Sequence, residues 1–239
     1  MVKLPENLVK ARFLSRPNRF TVVAEGEGGP FTAFLADPGR LAELLLPGTE
    51  LFLAPAKESA GRKTLYDVVL AYRGGIFISL DSRLPNRLFA AAFHGRKLVP
   101  FIGYRELTSE VKTGSSRLDF LLTGSEPELP PCYVEVKSVT LVSDGNVALF
   151  PDAPTARGTR HLEELMGLKY RGCRAAVVFI IQREDADFFA PNESTDPLFA
   201  RALRQAAEAG VEIYAYRCRI SLKAACLADA VPVRLDVNF

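Results

Sequence analysis

The chain has 239 residues, of which 48% are hydrophobic and 24% charged, and its formal net charge is +2. This length and composition exclude a disulfide-stapled miniprotein and a wholly disordered chain. The longest apolar runs reach only strand length, which excludes a membrane span, and without a secretory signal we expect a cytoplasmic protein. The four cysteines form no close pair, so we expect them to be reduced and structural.

Basic side chains are concentrated at the start of the chain, where five precede position 20 against a single acidic residue, Glu6. The five are Lys3, Lys10, Arg12, Arg16 and Arg19. Such a cluster binds phosphates through counterion release. An ordinary solvated segment is the alternative interpretation.

From Phe20 to about Asp81 the pattern is typical of short strands separated by turns. Strands are predicted over 20–24, 31–35, 50–53, 64–72 and 76–80. A short helix is predicted over 38–46, with Asp37 as its N-cap and Pro38 at its first position. Five strands with one inserted helix indicate a small closed barrel, and we expect an OB-fold-like barrel over residues 1–84.

From residue 85 to residue 239 helical and strand patterns alternate, which predicts an α/β domain. Helices are predicted over 87–93, 155–170 and 196–209, and strands over 117–122, 133–142, 174–182 and 211–218. The last helix has clear end signals in Asp196, Pro197 and Gly210. The expected fold is therefore a two-domain protein, a barrel followed by an α/β domain.

Two of the predicted strands carry charged residues on one face. Asp119 lies in the strand over 117–122, and Glu135 and Lys137 lie in the strand over 133–142. Strand side chains alternate between faces, so a hairpin of these two strands would bring the three side chains together. Two carboxylates and an ammonium in one place predict a Mg²⁺ site with Asp119 and Glu135 as ligands. Lys137 would orient or deprotonate the attacking water, or stabilise charge on a phosphate oxygen.

This arrangement is the pattern of the PD-(D/E)xK nuclease superfamily. A Glu-x-Lys triplet is expected about once by chance in a chain of this length, and Glu110-Val111-Lys112 is a second copy. The copy at 135–137 is favoured because an Asp-bearing apolar strand precedes it at hairpin distance. A surface ion pair of Lys137 with a neighbouring carboxylate is the alternative.

The helix after these strands adds further candidates. Arg157 and His161 share a helix face by their i, i+4 spacing. His161 is a candidate proton donor to a leaving oxygen, with a satisfied structural histidine as the alternative, and Arg157 is a candidate phosphate contact. Asp152 is either a further carboxylate of the site or a turn residue. Residues 182–185 either face the functional crevice or cap the next helix.

The predicted barrel has its own candidate nucleic-acid surface. Its basic members are Arg12, Arg16, Arg19, Arg40, Arg62 and Lys63, interleaved with Phe13, Phe20 and Tyr66. OB-folds carry nucleic acids on surfaces of this composition. The alternative places the aromatic rings in the core, and for Phe13 and Phe20 we expect the core.

Several longer segments resemble the sugar fermentation stimulation protein A family. They are Ser116–Phe120, Tyr133–Lys137, Phe150–Gly158, His161–Leu165, Gln182–Ala186, Pro85–Leu88 and Ala215–Cys218. The resemblance covers nearly the whole chain. It implies an N-terminal OB-type barrel, a C-terminal restriction-endonuclease-like domain, and DNA binding without marked sequence preference. It also implies a regulatory link to genes of sugar metabolism, such as that of maltose.

Three functions follow as hypotheses. The first is a DNA-binding regulator or architectural protein that keeps the nuclease-like fold as a scaffold. The second is a Mg²⁺-dependent nuclease that uses Asp119, Glu135 and Lys137. The third, an enzyme acting on a small sugar or phosphorylated metabolite, is disfavoured because the sequence has neither a glycine-rich phosphate loop nor a nucleophile motif.

Overall fold

The first part of the chain forms a closed five-stranded barrel in the computed structural model, which describes residues 1–56, 64–114, 116–124 and 129–236. After a short strand β1 (Val2–Lys3), the barrel strands are β2 (Val9–Asn18), β3 (Thr21–Gly26), β4 (Gly29–Leu35), β5 (Glu50–Pro55) and β6 (Tyr66–Arg73). Strand β7 (Ile76–Ser79) extends the sheet beside β6, and a parallel pairing of β4 with β6 closes the barrel. The predicted closed barrel is therefore confirmed.

The first barrel strand, β2, is missing from the prediction. Its buried Ala11 and Phe13 alternate with the exposed Lys10 and Arg12, which is the period-two pattern of a half-buried strand. Four basic side chains along β2 and its turn concealed that pattern. The basic cluster therefore lies on a strand and its turn rather than on a separate solvated segment.

The helix predicted over 38–46 is wrong, because this segment is a series of turns. The Asp37 side chain does accept a hydrogen bond, but from the Gly39 amide (2.8 Å), two residues away. The Arg16 guanidinium donates hydrogen bonds to the carbonyls of Asp37, Gly39 and Arg40. In a helix these carbonyls would accept hydrogen bonds from backbone amides instead. Leu41 also has a positive φ of 52°, which a helix does not allow.

The rest of the chain builds a larger α/β unit. Its helices are α1 (Leu84–His94), α2 (Ala156–Tyr170) and α3 (Pro197–Glu208). Its strands are β8 (Glu106–Thr113), β9 (Ser116–Thr123), β10 (Cys132–Val139), β11 (Val142–Ser143), β12 (Val147–Phe150), β13 (Arg174–Ile181), β14 (Phe188–Pro191), β15 (Glu212–Ile220) and β16 (Ala224–Ala230). Seven strands form the main sheet in the order β1-β16-β15-β13-β10-β9-β8, with β10, β13 and β15 parallel.

Two apolar cores cover the faces of the main sheet. Helix α1 and the barrel pack on one face, where Phe89 of α1 stacks on Phe120 of β9 and Leu70 comes from the barrel. Helices α2 and α3 pack on the other face, over Phe179 of β13. The barrel therefore shares a continuous core with the α/β domain. Among the described residues, no helix is both long and apolar enough to cross a membrane.

The first strand differs from the predicted domain range of 1–84. Strand β1 pairs antiparallel with β16, and both Val2 and Leu4 are buried in the core of the α/β domain. Covering the edge of β16 satisfies backbone groups that an exposed edge strand would leave unpaired. Residues 2–4 therefore belong structurally to the second domain, although they come first in the chain.

A polar contact also joins the two domains. The Asp152 carboxylate, which follows β12, accepts a hydrogen bond from the Leu41 amide of the barrel (3.2 Å) and lies against Gly39. Ser82 donates to the carbonyl of Ala36 (2.9 Å). Asp152 therefore holds a barrel loop, and the structure gives no support to its being a further carboxylate of the candidate site.

Replacement of Gly39 tests this contact. A Cβ atom at position 39 would lie 2.5 and 2.8 Å from the two carboxylate oxygens of Asp152, so Gly39→Ala should force that side chain away and break its bond to Leu41. We expect the free energy of unfolding to fall by about 1–2 kcal/mol in urea titrations. Gly28→Ala is the matched control, because nothing lies within 4 Å of a Cβ atom there. Equal effects of the two substitutions would contradict the contact.

Candidate active site

Asp119 is held by hydrogen bonds to both of its carboxylate oxygens. Asn86 of α1 donates from Nδ2 to Oδ1 (2.7 Å), and the backbone amide of Val136 donates to Oδ2 (2.8 Å). Strands β9 and β10 pair antiparallel as far as Phe120 opposite Val134, next to Asp119. The side chain of Asp119 therefore uses the β10 amide just beyond the last paired residues, which fixes the carboxylate against the neighbouring strand.

Glu135 and Lys137 lie on β10, between β9 and β13. The Glu135 side chain is buried, and its Oε1 accepts hydrogen bonds from Lys137 Nζ (2.6 Å) and from His161 Nδ1. Its other oxygen, Oε2, is buried and has no hydrogen-bond partner among the residues that the structure describes. A buried carboxylate oxygen without a partner is costly, so this atom is the one group of the cluster that needs a ligand.

His161 occupies a buried position on α2, with 2% of its surface exposed. Its Nδ1 contacts Glu135, and its Nε2 accepts a hydrogen bond from Arg157 Nε (3.3 Å). Both ring nitrogens therefore have protein partners, and neither is left to protonate a leaving oxygen. The geometry favours the alternative interpretation, in which His161 positions Glu135 and Arg157.

The electrostatics of the two carboxylates differ. Burial and the nearby charge of Glu135 raise the pKa of Asp119. Burial also acts to raise the pKa of Glu135, but the hydrogen bond from His161 and the charge of Lys137 outweigh it and lower that pKa. Glu135 is therefore ionised at neutral pH and stays so into the acidic range, with its negative charge paired to Lys137.

The donor set fits a hard divalent cation. Asp119 and Glu135 offer carboxylate oxygens, and the buried Oε2 of Glu135 has no hydrogen-bond partner among the described residues. Within the described ranges, no group of three or more His, Cys, Asp or Glu side chains is arranged to hold a metal ion. Mg²⁺ commonly takes only one or two carboxylates and completes its shell with water and substrate phosphates. Two protein ligands therefore suit Mg²⁺ better than a cation that needs a full protein cage.

The predicted DNA-binding residues fall into distinct groups. Arg157 is exposed at the start of α2, beside His161, whereas Arg12, Arg19 and Arg40 are exposed on the barrel. Arg16 differs from the prediction, because its guanidinium donates to four backbone carbonyls and organises the 37–40 loop. Arg62 and Lys63 lie outside the described residues. The structure therefore places Arg157 next to His161, which contacts Glu135, and it places the other three arginines on the barrel.

The structure also places the second Glu-x-Lys triplet and the 182–185 segment, and neither joins the carboxylate cluster. The other Glu-x-Lys copy lies on the exposed part of β8, where Glu110 pairs with Arg117 (3.0 Å). Residues 182–185 form a loop in which Arg183 pairs with Asp185 and the side-chain Nε2 of Gln182 donates to Ser138 Oγ (2.9 Å). This loop neither caps a helix nor contacts Asp119 or Glu135 by a hydrogen bond.

Asn86 is a residue of the candidate site that the sequence analysis missed. Its Nδ2 donates to Asp119 from a helix that precedes β9 by more than 20 residues. No local pattern links an amide on one helix to a carboxylate on a distant strand. Its presence in the Pro85–Leu88 segment, which carries the family resemblance, was the only available signal.

Two family models cover most of the chain. The model described as SfsA N-terminal OB domain matches residues 14–80, and that described as Sugar fermentation stimulation protein RE domain matches residues 83–224. The chain belongs to the sugar fermentation stimulation protein family. The resemblance inferred from the sequence is thereby confirmed, and so is the fold class: an OB-type barrel followed by a restriction-endonuclease-like α/β domain.

Relatives in the family are similar over nearly their whole length. A sugar fermentation stimulation protein homolog from Moorella thermoacetica is 67% identical, over 98% of this chain and 100% of that protein. A homolog from Chloroflexus aurantiacus is 50% identical, over 95% of this chain and 85% of that protein. The solved structure of Pyrococcus furiosus SfsA in complex with Ca²⁺ is 32% identical and has a TM-score of 0.87, covering 98% of this chain and 99% of that one.

Proposed function

We propose that this protein binds DNA without marked sequence preference and cleaves its phosphodiester backbone with a divalent cation held by Asp119 and Glu135. The observation that carries the proposal is the buried, partnerless Oε2 of Glu135, in a cluster with Asp119 and Lys137. A scaffold that only bound DNA would have no use for the buried carboxylate of Glu135 and the half-buried one of Asp119 beside a polyanion, because they repel phosphates.

The residues of the cluster have separable roles in this proposal. Asp119 and Glu135 hold the cation, which supplies Lewis-acid stabilisation of a phosphate oxygen when bound. Asn86 and the Val136 amide keep Asp119 in place, and His161 does the same for Glu135. Lys137 places a positive charge where negative charge grows on the phosphate, and Arg157 binds the neighbouring phosphate.

The nature of the cation is supported by the family. The Pyrococcus furiosus relative was solved as a complex with Ca²⁺, which like Mg²⁺ prefers oxygen ligands. We propose Mg²⁺ for this protein because the site offers few protein oxygens. Larger Ca²⁺ usually needs six to eight ligands, of which Asp119 and Glu135 supply only a part.

DNA as the partner is supported by the charge of the exposed surface. Arg12, Arg19 and Arg40 are exposed on the barrel, and Arg157 is exposed beside His161. Binding should be electrostatic, so the logarithm of affinity should fall linearly with the logarithm of salt concentration. These side chains suit phosphate contacts, which position DNA without reading its sequence.

A DNA-binding regulator of sugar metabolism genes, such as those for maltose, is the second candidate function. One observation favours it: Lys137 and His161 both contact Oε1 of Glu135, so the charge of this carboxylate is already balanced within the protein. A site with balanced charge is compatible with a scaffold that binds without cleaving. The name of the curated relatives, sugar fermentation stimulation protein homolog, agrees with a role of this kind.

One experiment separates the two candidates. Single-stranded, duplex and branched DNA are incubated with the protein, with and without Mg²⁺ or Mn²⁺, and analysed on native and denaturing gels. Cleavage products that depend on the cation support the nuclease. Retarded DNA without products under every condition supports the regulator, and failure to retard any DNA contradicts both.

Mg²⁺ should stabilise the folded protein even in the absence of DNA. A cation that binds only the folded state adds about 2.7 kcal/mol to the free energy of unfolding when its concentration is 100 Kd. In a chain of this size, each kcal/mol raises Tm by roughly 2–4 °C. Asp119→Asn should abolish this shift in thermal melts, because it removes a ligand charge. Asp229→Asn, on the exposed end of β16, is the control that should keep the shift. A rise of equal size in both variants would show that Mg²⁺ acts elsewhere.

A further inference from the structure

Phe20 is an aromatic side chain left exposed at a tight turn of the barrel. Arg19 and Phe20 connect Asn18 of β2 to Thr21 of β3, which face each other in the sheet. The Phe20 side chain is 49% exposed, contrary to the expectation that it belongs to the core, whereas Phe13 is buried as expected. Its ring lies nearly parallel to that of Phe34, at an interplanar angle of 14° and a centroid distance of 6.3 Å.

Unpaired positive charge accompanies this ring. The side chains of Arg19 and Arg40 are exposed, and within the described part of the chain neither makes an ion pair or a side-chain hydrogen bond. The backbone carbonyls of both residues accept hydrogen bonds from Arg16, which holds the two loops together. The turn and the 37–40 loop thus form one surface, joined by the hydrogen bonds of Arg16, and this surface carries the guanidinium groups of Arg19 and Arg40.

This surface opens into a groove between the two domains. A cavity of about 560 Å³ is lined by Asn18, Arg19, Pro38 and Arg40 of the barrel and by Ala153 and Pro154 of the α/β domain. A second cavity of about 360 Å³ shares Arg19, Pro38 and Pro154 with it and extends to Ser138 and Thr155. Ser138 follows Lys137 on β10, and Thr155 is the N-cap of the helix that carries Arg157. The two cavities therefore lead from the arginines of the turn to Ser138 on β10 and to the N-terminus of α2.

An exposed ring of this kind selects unpaired bases. In a duplex both faces of each base are covered by stacking, so an aromatic side chain can stack only on a base that has left the helix. Stacking on aromatic rings, with arginines along the backbone, is how proteins bind single strands without reading sequence.

We propose that Phe20 stacks on an unpaired base of single-stranded DNA whose backbone contacts Arg19 and Arg40 and follows the interdomain groove toward Lys137. This inference rests on the proposed function, which it deepens by naming a single strand as the substrate form at the barrel. It assigns Phe20 to stacking and the two arginines to phosphates.

The test is a fluorescence anisotropy titration with a labelled single-stranded oligonucleotide of mixed sequence in EDTA, repeated with its duplex. Phe20→Ala and Phe20→Leu should each weaken single-strand binding about tenfold, with an unchanged salt slope, and Phe20→Tyr should bind like the wild type. Arg19→Ala should instead reduce the salt slope by about 0.7. Tyr170→Ala is the matched control: Tyr170 is 80% exposed between Lys169 and Arg171 at the far end of α2, so single-strand affinity should not change.

Each result decides the proposal. If the wild type binds the strand and Phe20→Ala binds it equally well, the stacking inference is wrong and the proposed function stands. Full affinity of Phe20→Leu would also overturn it, since an apolar contact would then suffice. If the wild type binds neither the strand nor the duplex at low salt, the proposed function fails, and the inference fails with it. Because Phe20 is exposed, circular dichroism should show each variant folded.

Discussion

Lys137→Gln should lower the rate of Mg²⁺-dependent DNA cleavage by about 10²–10³-fold and leave DNA affinity within about twofold of the wild type. The reason is that the ammonium acts on charge that develops only in the transition state, and losing one such group has an effect of this size. Glutamine keeps a donor for Oε1 of Glu135, which now accepts from Lys137 Nζ at 2.6 Å. Single-turnover cleavage and anisotropy measure the two quantities separately.

The control for this prediction is the other Glu-x-Lys copy. Lys112→Gln changes the same residue type in the same triplet, but on the exposed strand β8, so its cleavage rate should equal that of the wild type. Lys137 is only 11% exposed, and Lys137→Gln removes the positive charge that is paired with Glu135. The variant should therefore melt at a lower temperature, and rates are to be compared well below that point. A cleavage rate of Lys137→Gln equal to that of the wild type would refute the assigned role.

Asp37→Asn should stabilise the protein at pH 7.5 by up to about 3 kcal/mol and have little effect at pH 4. Burial, with the nearby charge of Asp152, raises the pKa of Asp37 to about 6, although the Gly39 amide and Arg16 act in the opposite direction. Because the folded state holds this proton more tightly than the unfolded chain, stability is highest when Asp37 is protonated. That stability is lost as the pH rises from about 4 through 6.

Asparagine removes the charge but keeps an oxygen for the Gly39 amide, whose bond to Asp37 Oδ1 is 2.8 Å long. Urea unfolding at both pH values measures the difference. Asp144→Asn, at an exposed turn between β11 and β12, is the control and should change stability little at either pH. Destabilisation by Asp37→Asn at pH 7.5 would show that the carboxylate charge favours the fold, against the prediction.

Much of the α/β domain followed from local patterns. Apolar alternation predicted β9 and β10, and capping residues such as Asp196 and Gly210 predicted the limits of α3. These signals are local because strand and helix periods repeat within a few residues. The same locality placed Asp119, Glu135 and Lys137 on adjacent strands, while their roles in cation binding and cleavage stay predictions.

The predicted structure is wrong for one barrel segment, where side chains from distant parts of the chain bind the local backbone groups. The 38–46 segment has a capping residue and a first-position proline. Its carbonyls nevertheless accept hydrogen bonds from Arg16 of β2, and its Leu41 amide donates to Asp152. Strand β2 was overlooked because its exposed side chains are basic and suggested a solvated segment. For the 38–46 segment the decisive partners lie outside the window in which sequence patterns are read, whereas the pattern of β2 is local and was obscured by its basic side chains.

The sequence by itself determined the two-part architecture, the family, and the strands that carry the two carboxylates and the lysine, because these depend on periodicity, on long matching segments and on strand alternation. Only the tertiary structure decided the partners of those side chains. Asn86 on α1 donates a hydrogen bond to Asp119, and both ring nitrogens of His161 have hydrogen-bond partners. Oε2 of Glu135 has no partner within the described part of the chain. Hydrogen bonds and burial depend on the packing of residues far apart in the chain, and no spacing along the sequence specifies them.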